Sequence, residues 1–525
     1  MDSTVGQGCH QTGETHDSKC SDTPPDNSID SDADVTTSPS GASSEFGCVG
    51  QDERPLVAII GCGFIGRQLL AAFSTYYDVL GFDIKPERLR KANDKASRRD
   101  RKDAKKVGDP IDTETTFTNS PADLIKATHI LVAVSTNLLP DNSIDTSSLQ
   151  KAVKDIKRFA RSGSTVVIES SVAVGMTREL FATLAKDRGL FVGMSPERVD
   201  PGRSQPVIRD VPKIVSGLDD VVPGSLEAIM KLYSKVFKKL VDVASVETAE
   251  ITKLYENCQR MINIAYVNEM ADACRAHNIN PYEVCKAAET KPFGYMSFTP
   301  GVGVGGPCIP VNPYYLLSNS SFPLLKEATE KMHQRPLVIA RRIINELVGE
   351  SRTDHSSRRG DCGQNVSDHS ENKASSAKLH RRPSYTAQCV IDKRHEGSDP
   401  DTSWRRINSK LPNPSPKQKR PKVLVVGIGF KAGQALLSNS PGKRLLEELW
   451  KTELLDVKWA DPLVKQSSMK SSIPRVNVPR LSMKHWNKES LEKFDKIIVV
   501  LRQPRLSFGP LDELKDTKKV EMWCL

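Results

Sequence analysis

Nowhere in the 525 residues does a run of apolar side chains approach the ~18 that a helix needs to cross a bilayer, so a membrane span is excluded. Cysteine is scattered: the eleven positions include no CxxC pair, which removes the usual zinc frameworks, so no metal site is expected. An odd count in a long chain argues against a disulfide scaffold, and reduced thiols in a cytoplasmic setting are expected. An excess of one charge is also lacking. Lys and Arg number 75 against 65 Asp and Glu, and a surplus of +10 over this length does not point to nucleic acid. The N-terminus has no basic-then-apolar pattern and is acidic rather than Arg-rich, so neither a secretory signal nor a transit peptide is expected. The irregular pattern excludes collagen, silk and coiled-coil arrays.

What remains, 38% hydrophobic and 27% charged residues, fits a soluble globular protein with some disordered sequence, and the length allows about three domains. Residues 1–53 are rich in Ser, Thr, Gly and Asp with Lys19 as the one basic residue, and read as a disordered acidic tail. Residues 350–420 carry RRG, HRRPS and PSPKQKRPK with few periodic apolars, and read as a disordered basic insert. Its charge runs fit a solvated segment better than a nuclear signal or a kinase site.

Three organised blocks lie around the insert. Residues 54–245 alternate short apolar runs (LVAII, DVLGF, ATHILVAV, STVVIESS) with helical patterns, the signature of a parallel doubly wound sheet. The basic run 86–106 is expected as an exposed helix or loop. Residues 246–349 are nearly all helical. Between 247 and 278 neither Pro nor Gly occurs, and Ile251, Leu254, Tyr255, Met261, Ile262, Ala265, Tyr266 and Met270 recur at near-helical spacing. Such a helix is long enough to bridge two domains and pair with a second copy of itself. Residues 421–525 again read β-α-β, from PKVLVVGIGFKAG to KIIVVL. The fold class is therefore α/β, two Rossmann-like domains joined by a long central helix.

Gly61-Cys62-Gly63-Phe64-Ile65-Gly66 forms GxGxxG between a strand and a helix. The first glycine permits the turn, the second lets backbone approach a pyrophosphate, and the third lets the helix pack on the strand. The helix N-terminus then offers its N–H groups to phosphate. Asp83 ends the next strand, seventeen residues after Gly66, where a carboxylate accepts from ribose hydroxyls and favours NAD over NADP, with Lys85 close enough to temper the preference. A second glycine-rich loop, FTPGVGVGGPCIPVNP (298–313), places Gly301, Gly303, Gly305 and Gly306 ahead of Cys308. A thiol on such a loop is suited to attack rather than packing.

The motifs GCGFIG, SPERVDPG, ETAEITKLYEN, TKPFGYM, PGVGVGGPCIP and GFK…NSP, in this order, resemble the UDP-glucose/GDP-mannose dehydrogenase family over residues 55–349 and 421–501. They look most like the branch that oxidises UDP-N-acetylhexosamines. The resemblance implies a four-electron oxidation of a sugar C6 alcohol. Hydride passes to NAD, a thiolate captures the aldehyde, the thiohemiacetal yields a second hydride to a second NAD, and water cleaves the thioester to a uronic acid. It implies Cys308 as nucleophile, Lys253 and Asn257 as stabilisers of oxyanions from one helical face, Thr136 near the reactive water, and Glu197 as a site carboxylate. Gly61, Gly63, Phe64, Ile65, Gly66, Asp83 and Thr136 would hold NAD. Glu197, Arg198, Lys253, Asn257, Gly301, Gly303, Gly305 and Lys431 would hold the UDP-sugar, in a cleft between the domains with UDP toward the C-terminal one. A homodimer through the central helix is the family expectation.

Three positions depart from the pattern. Asn312 stands where the family has Asp, and an amide can orient water but cannot take its proton. Pro307 replaces His, and Ser438 stands where an Arg helps hold phosphate. Slowed thioester hydrolysis is the expected consequence. Asn312 and Ser438 keep a second reading in view, a weakened relative that binds nucleotide sugar as a sensor or partner subunit; a third, a single-step hydroxyacid or phosphogluconate-type dehydrogenase, shares the long bridging helix and has no need of Cys308.

Overall fold

The computed structural model describes residue 49 and residues 53–103, 113–356 and 420–524, apart from Pro201, Ser204, Arg475, Val476, Lys515, Asp516 and Lys518. The expectations for the acidic tail and most of the basic insert fall outside these residues.

The N-terminal sheet has eight strands: β1 (Leu56–Ile60), β2 (Asp78–Phe82), β3 (Thr115–Thr118), β4 (His129–Val132), β7 (Thr165–Ile168), β8 (Phe191–Met194), β9 (Lys213–Gly217) and β10 (Leu240–Asp242). The short pair β5 (Asn137–Leu138) and β6 (Ile144–Asp145) lies apart. The order is β10-β9-β8-β7-β4-β1-β2-β3, parallel except for β8 against β9. Four of the five residues of β1 and of β2, and all four of β7, are buried, as expected of strands covered on both faces. The chain reverses direction across the sheet between β1 and β4, and ligands bind at the carboxyl ends of strands at such a switch point.

Helices α1 (Phe64–Phe73), α2 (Pro86–Asp103), α3 (Ser147–Phe159), α4 (Met176–Arg188) and α5 (Ser225–Tyr233) cover this sheet. The basic run is thus a helix, α2. Next comes α6 (Val246–Ala276), 31 residues long. Its start is capped by Ser245, whose Oγ accepts the Thr248 N–H at 3.1 Å, and Asn278 takes the left-handed conformation just past its end. Helices α7 (Pro281–Glu289), α8 (Asn312–Leu317) and α9 (Pro323–Ser356) complete the central block. α9 runs on past residue 349, into the segment read as an insert.

α9 serves two cores. Leu325, Ala328 and Met332 pack with Leu254 and Met261 of α6, whereas Ile339, Ala340 and Ile343 pack with the C-terminal sheet. That sheet is all parallel, ordered β12-β11-β13-β14 from β11 (Lys422–Val426), β12 (Asp456–Ala460), β13 (Lys496–Val499) and β14 (Val520–Met522). α10 (Pro441–Lys451) lies on it, capped by Ser440, whose Oγ accepts the Lys443 N–H at 3.1 Å. Among the described residues no helix is long and apolar enough to cross a membrane.

Candidate active site

The glycine turn sits at the switch point. Gly61 has φ +98°, and a Cβ there would lie 2.6 Å from the Ala133 carbonyl oxygen. A Cβ on Gly66 would lie 1.7 Å from the Gly61 oxygen, so backbone meets backbone there. Around Gly63 nothing lies within 4 Å of an added Cβ. Gly61 and Gly66 serve close packing, and Gly63 faces open space at the start of α1. Phe64 and Ile65 open that helix, Phe64 exposed and Ile65 packed inward. No side chain caps the helix start, which leaves its first N–H groups available to an anion.

Asp83 is buried beside this turn. It accepts N–H bonds from Cys62 and Lys85, both at 2.9 Å, and Arg88 lies 3.5 Å away. The residues fit a dinucleotide: an open glycine, an uncapped helix N-terminus, and a carboxylate fixed at the end of β2. Thr136 follows β4 on the same edge and donates its hydroxyl to the Ser171 carbonyl at 3.0 Å. The neighbouring Cys62 is buried, and its thiol is pushed up to about 12 by burial and then by Asp83, so it stays inert.

Cys308 is half-buried at the end of its loop. Its carbonyl accepts the Asn312 N–H at 2.9 Å, which ties the loop to the first turn of α8. Burial pushes the Cys308 thiol up, while Lys253 and Arg260 pull it back toward thiolate. Lys253 and Asn257 are both buried on one face of α6. Burial draws Lys253 down, and Cys308 and Glu197 are the first charges that oppose this. The Asn257 amide donates to Asn312 Oδ1. The helix face and the cysteine loop therefore meet at Asn257, Asn312 and Cys308.

Residues 55–237 match the NAD binding domain of the UDP-glucose/GDP-mannose dehydrogenase family, and residues 247–333 match its central domain. The chain belongs to the UDP-glucose/GDP-mannose dehydrogenase family. Protein CapL of Staphylococcus aureus is 33% identical over 302 residues, which cover 56% of this chain and 68% of CapL. The UDP-N-acetyl-D-mannosamine dehydrogenase of Pyrococcus horikoshii is 32% identical over 300 residues, 54% of this chain and 69% of that one. The solved UDP-D-ManNAc dehydrogenase of P. horikoshii shares the fold at a TM-score of 0.63 and 24% identity, over 89% of this chain and 93% of that one. The protein is accordingly an NAD-dependent oxidoreductase.

The remaining expected residues divide by what they touch. Glu197 is buried just beyond β8; its N–H donates to the Glu169 carbonyl at 3.3 Å and its Oε1 accepts the Val199 N–H. Arg198 is held by Glu256 at 2.5 Å and by the Pro212 carbonyl at 2.9 Å, so its guanidinium lies along α6. Lys431 reaches across from the C-terminal domain to Asp200. Gly303 and Gly305 face Pro441, where an added Cβ would lie 3.2 and 2.7 Å from ring carbons, so they admit the C-terminal domain. Gly301 accepts from Arg335 at 3.0 Å and donates to Asn268 at 2.9 Å. A cavity of about 1040 Å³ opens beside the glycine turn, walled by Phe64 and Arg67 on one side and by Arg198, Asp200, Arg209 and Arg260 on the other.

Sequence reasoning missed Arg260 and the support behind Glu197. Arg260 lies seven residues after Lys253 and three after Asn257, and that spacing alone puts it on their face. The support is a buried pair. Lys213 on β9 binds Glu169 at 2.5 Å and the carbonyls of Ser195 and Pro196 at 2.9 and 3.2 Å, immediately before Glu197. Tyr233 donates to the other Glu169 oxygen at 2.5 Å. No local motif announces this, because its members come from the residue after β7, from β9 and from α5.

Proposed function

We propose that the protein oxidises the C6 hydroxyl of a UDP-N-acetylhexosamine, or of UDP-glucose, to the uronic acid in two steps. The observation that carries this reading is Cys308 held on a loop that meets the Lys253 and Asn257 face of α6, with Lys253 the leading cation acting on its thiol. NAD bound at the glycine turn would accept hydride once in each oxidation. Lys253 and the Asn257 amide stabilise oxygen as it becomes anionic at the reacting carbon. The Cys308 thiolate adds to the aldehyde carbon and forms a thiohemiacetal, whose oxidation leaves a thioester. Water then cleaves the C–S bond, releasing the carboxylic acid and the free thiol. Glu197 and Thr136 flank this water, and Asn312 orients it without accepting its proton. Lys431, across the domain boundary, supplies positive charge to the diphosphate.

The reading includes a homodimer in the cytoplasm. Ile251, Tyr255, Tyr266 and Met270 form one apolar stripe on α6, exposed at 42, 67, 62 and 41%, a face that a second copy of the helix would cover. Domain limits of 54–245, 246–349 and 421–525 belong to the same reading.

The test is a panel of UDP- and GDP-sugars scored for NAD reduction. Two NADH per sugar with one member of the panel supports the reading. One NADH per sugar, or unchanged turnover in Cys308→Ser, replaces it with a single-step dehydrogenase. No NADH with any sugar, but measurable sugar binding, leaves a binding subunit, the outcome that Asn312 in place of a base would favour.

A further inference from the structure

The cysteine loop does not stand on its own domain. Gly306, two residues before Cys308, has both backbone polar groups taken by consecutive residues of the C-terminal domain. Its N–H donates to the Ser438 carbonyl at 3.0 Å, and its carbonyl accepts from Asn439 Nδ2 at 3.1 Å. Gly306 has φ +97°, and a Cβ there would lie 3.0 Å from the Phe430 ring. Asn439 is itself left-handed, at φ +46°, a conformation that asparagine tolerates better than most residues. It is braced from behind by Ser440, which caps α10 and donates to the Ile428 carbonyl at 2.6 Å.

We infer that Asn439 is a positioning residue for Cys308: it clamps Gly306 from the C-terminal domain and so fixes the sulfur against the Lys253 and Asn257 face. The residue type follows from the two demands on it. The clamp needs a side-chain N–H, which an ionised carboxylate lacks, and a backbone that accepts positive φ. Downstream, the Asn312 N–H and the Asn257–Asn312 amide pair hold the other side of the cysteine. Cys308 is thus pinned at both ends, once from each domain. Near-attack geometry tolerates little error, since a displacement of about 1 Å costs about 100-fold in rate.

The inference rests on Cys308 being the nucleophile, and its experiment keeps the two claims apart. Asn439→Gly keeps the left-handed backbone and the Ser438 bond and deletes only the side-chain donor. Asn439→Asp keeps the shape and replaces the donor with a charge. Each variant is assayed with NAD and UDP-N-acetyl-D-glucosamine or UDP-N-acetyl-D-mannosamine, and alkylated with iodoacetamide while the Cys308 peptide is followed by mass. The expected result is kcat lowered about 10- to 100-fold, KM for NAD within about twofold, an unchanged number of titratable thiols, and faster alkylation of Cys308 because the loop is freed. Parental kcat in both variants, with Cys308→Ala inactive, overturns the clamp and leaves the nucleophile standing. Lowered kcat with an unchanged alkylation rate also overturns it, since a loss of folded enzyme accounts for that. Two NADH per sugar in Cys308→Ala removes the nucleophile and the clamp's purpose together. Asn439→Asp decides the matter should the glycine variant fail to fold.

Discussion

Both carboxylate oxygens of Asp200 lie 2.8 Å from the ammonium of Lys431, so the loop after β8 holds a lysine that the C-terminal domain extends across the boundary, the one proposed to meet the diphosphate. The pair is partly solvated, which keeps its own contribution to stability small. A diphosphate entering here competes with Asp200 for the same cation. Asp200→Asn therefore lowers KM for the UDP-sugar by about threefold and leaves KM for NAD unchanged, and Lys431→Ala raises the sugar KM about tenfold. Steady-state kinetics with each substrate varied in turn checks both.

Cys308 and Lys253 set the pH response together. The cation favours the thiolate, so its removal raises the pKa of the thiol, and at any pH below that value less thiolate remains. In Lys253→Met the pH midpoint of Cys308 alkylation moves upward. A midpoint that stays in place or falls separates the two residues.

In the proposed reaction Asn312 offers no base to the water that would cleave the thioester. The parent enzyme therefore accumulates an acyl adduct on Cys308, visible by mass after acid quench, and Asn312→Asp removes the adduct and raises kcat about tenfold or more. An unmodified Cys308 at steady state counts against slow hydrolysis.

The glycine turn predicts different losses at two of its positions. Gly63→Ala has room, so its melting temperature stays within about 2 °C of the parent while KM for NAD rises. Gly66→Ala drives a Cβ into the Gly61 carbonyl and lowers folding stability itself. Thermal melts alongside NAD titration separate the two.

Lys213 and Glu169 form a buried pair, and removal of one partner strands the other's charge. Lys213→Met destabilises the protein by roughly 3–5 kcal/mol in denaturant titration. It also loosens the Ser195 and Pro196 carbonyls that fix Glu197, so kcat falls in whatever fraction remains folded.

Much of this was legible from the sequence because the signals are local. GCGFIG lies between a strand and a helix, the run from 247 to 276 lacks helix breakers, and the apolar runs give β1, β2, β4, β7, β11 and β13 their places. The cysteine loop also declared itself, since four glycines in six residues mark backbone that something must approach closely. What approaches was not legible: Pro441 and Phe430 come from more than a hundred residues away. The extent of α9 was hidden because Pro336 sits inside the helix and its C-terminal half serves a different core. Ser438 read only as a departure from a family pattern, and Asn439 only as the first residue of the NSP motif. Their use, a grip on Gly306, depends on a pairing that no sequence period encodes.

The packing of Gly303 and Gly305 on the Pro441 ring carries a consequence for how the enzyme matures. A chain ending after α9 would already own its glycine turn and its lysine-bearing helix, yet the loop holding the sulfur would lack a floor. Catalytic competence should therefore arrive late in synthesis, once the last hundred residues have folded. A nascent or proteolysed form that kept the glycine turn would lack the placed sulfur and could not complete the second oxidation of the proposed reaction.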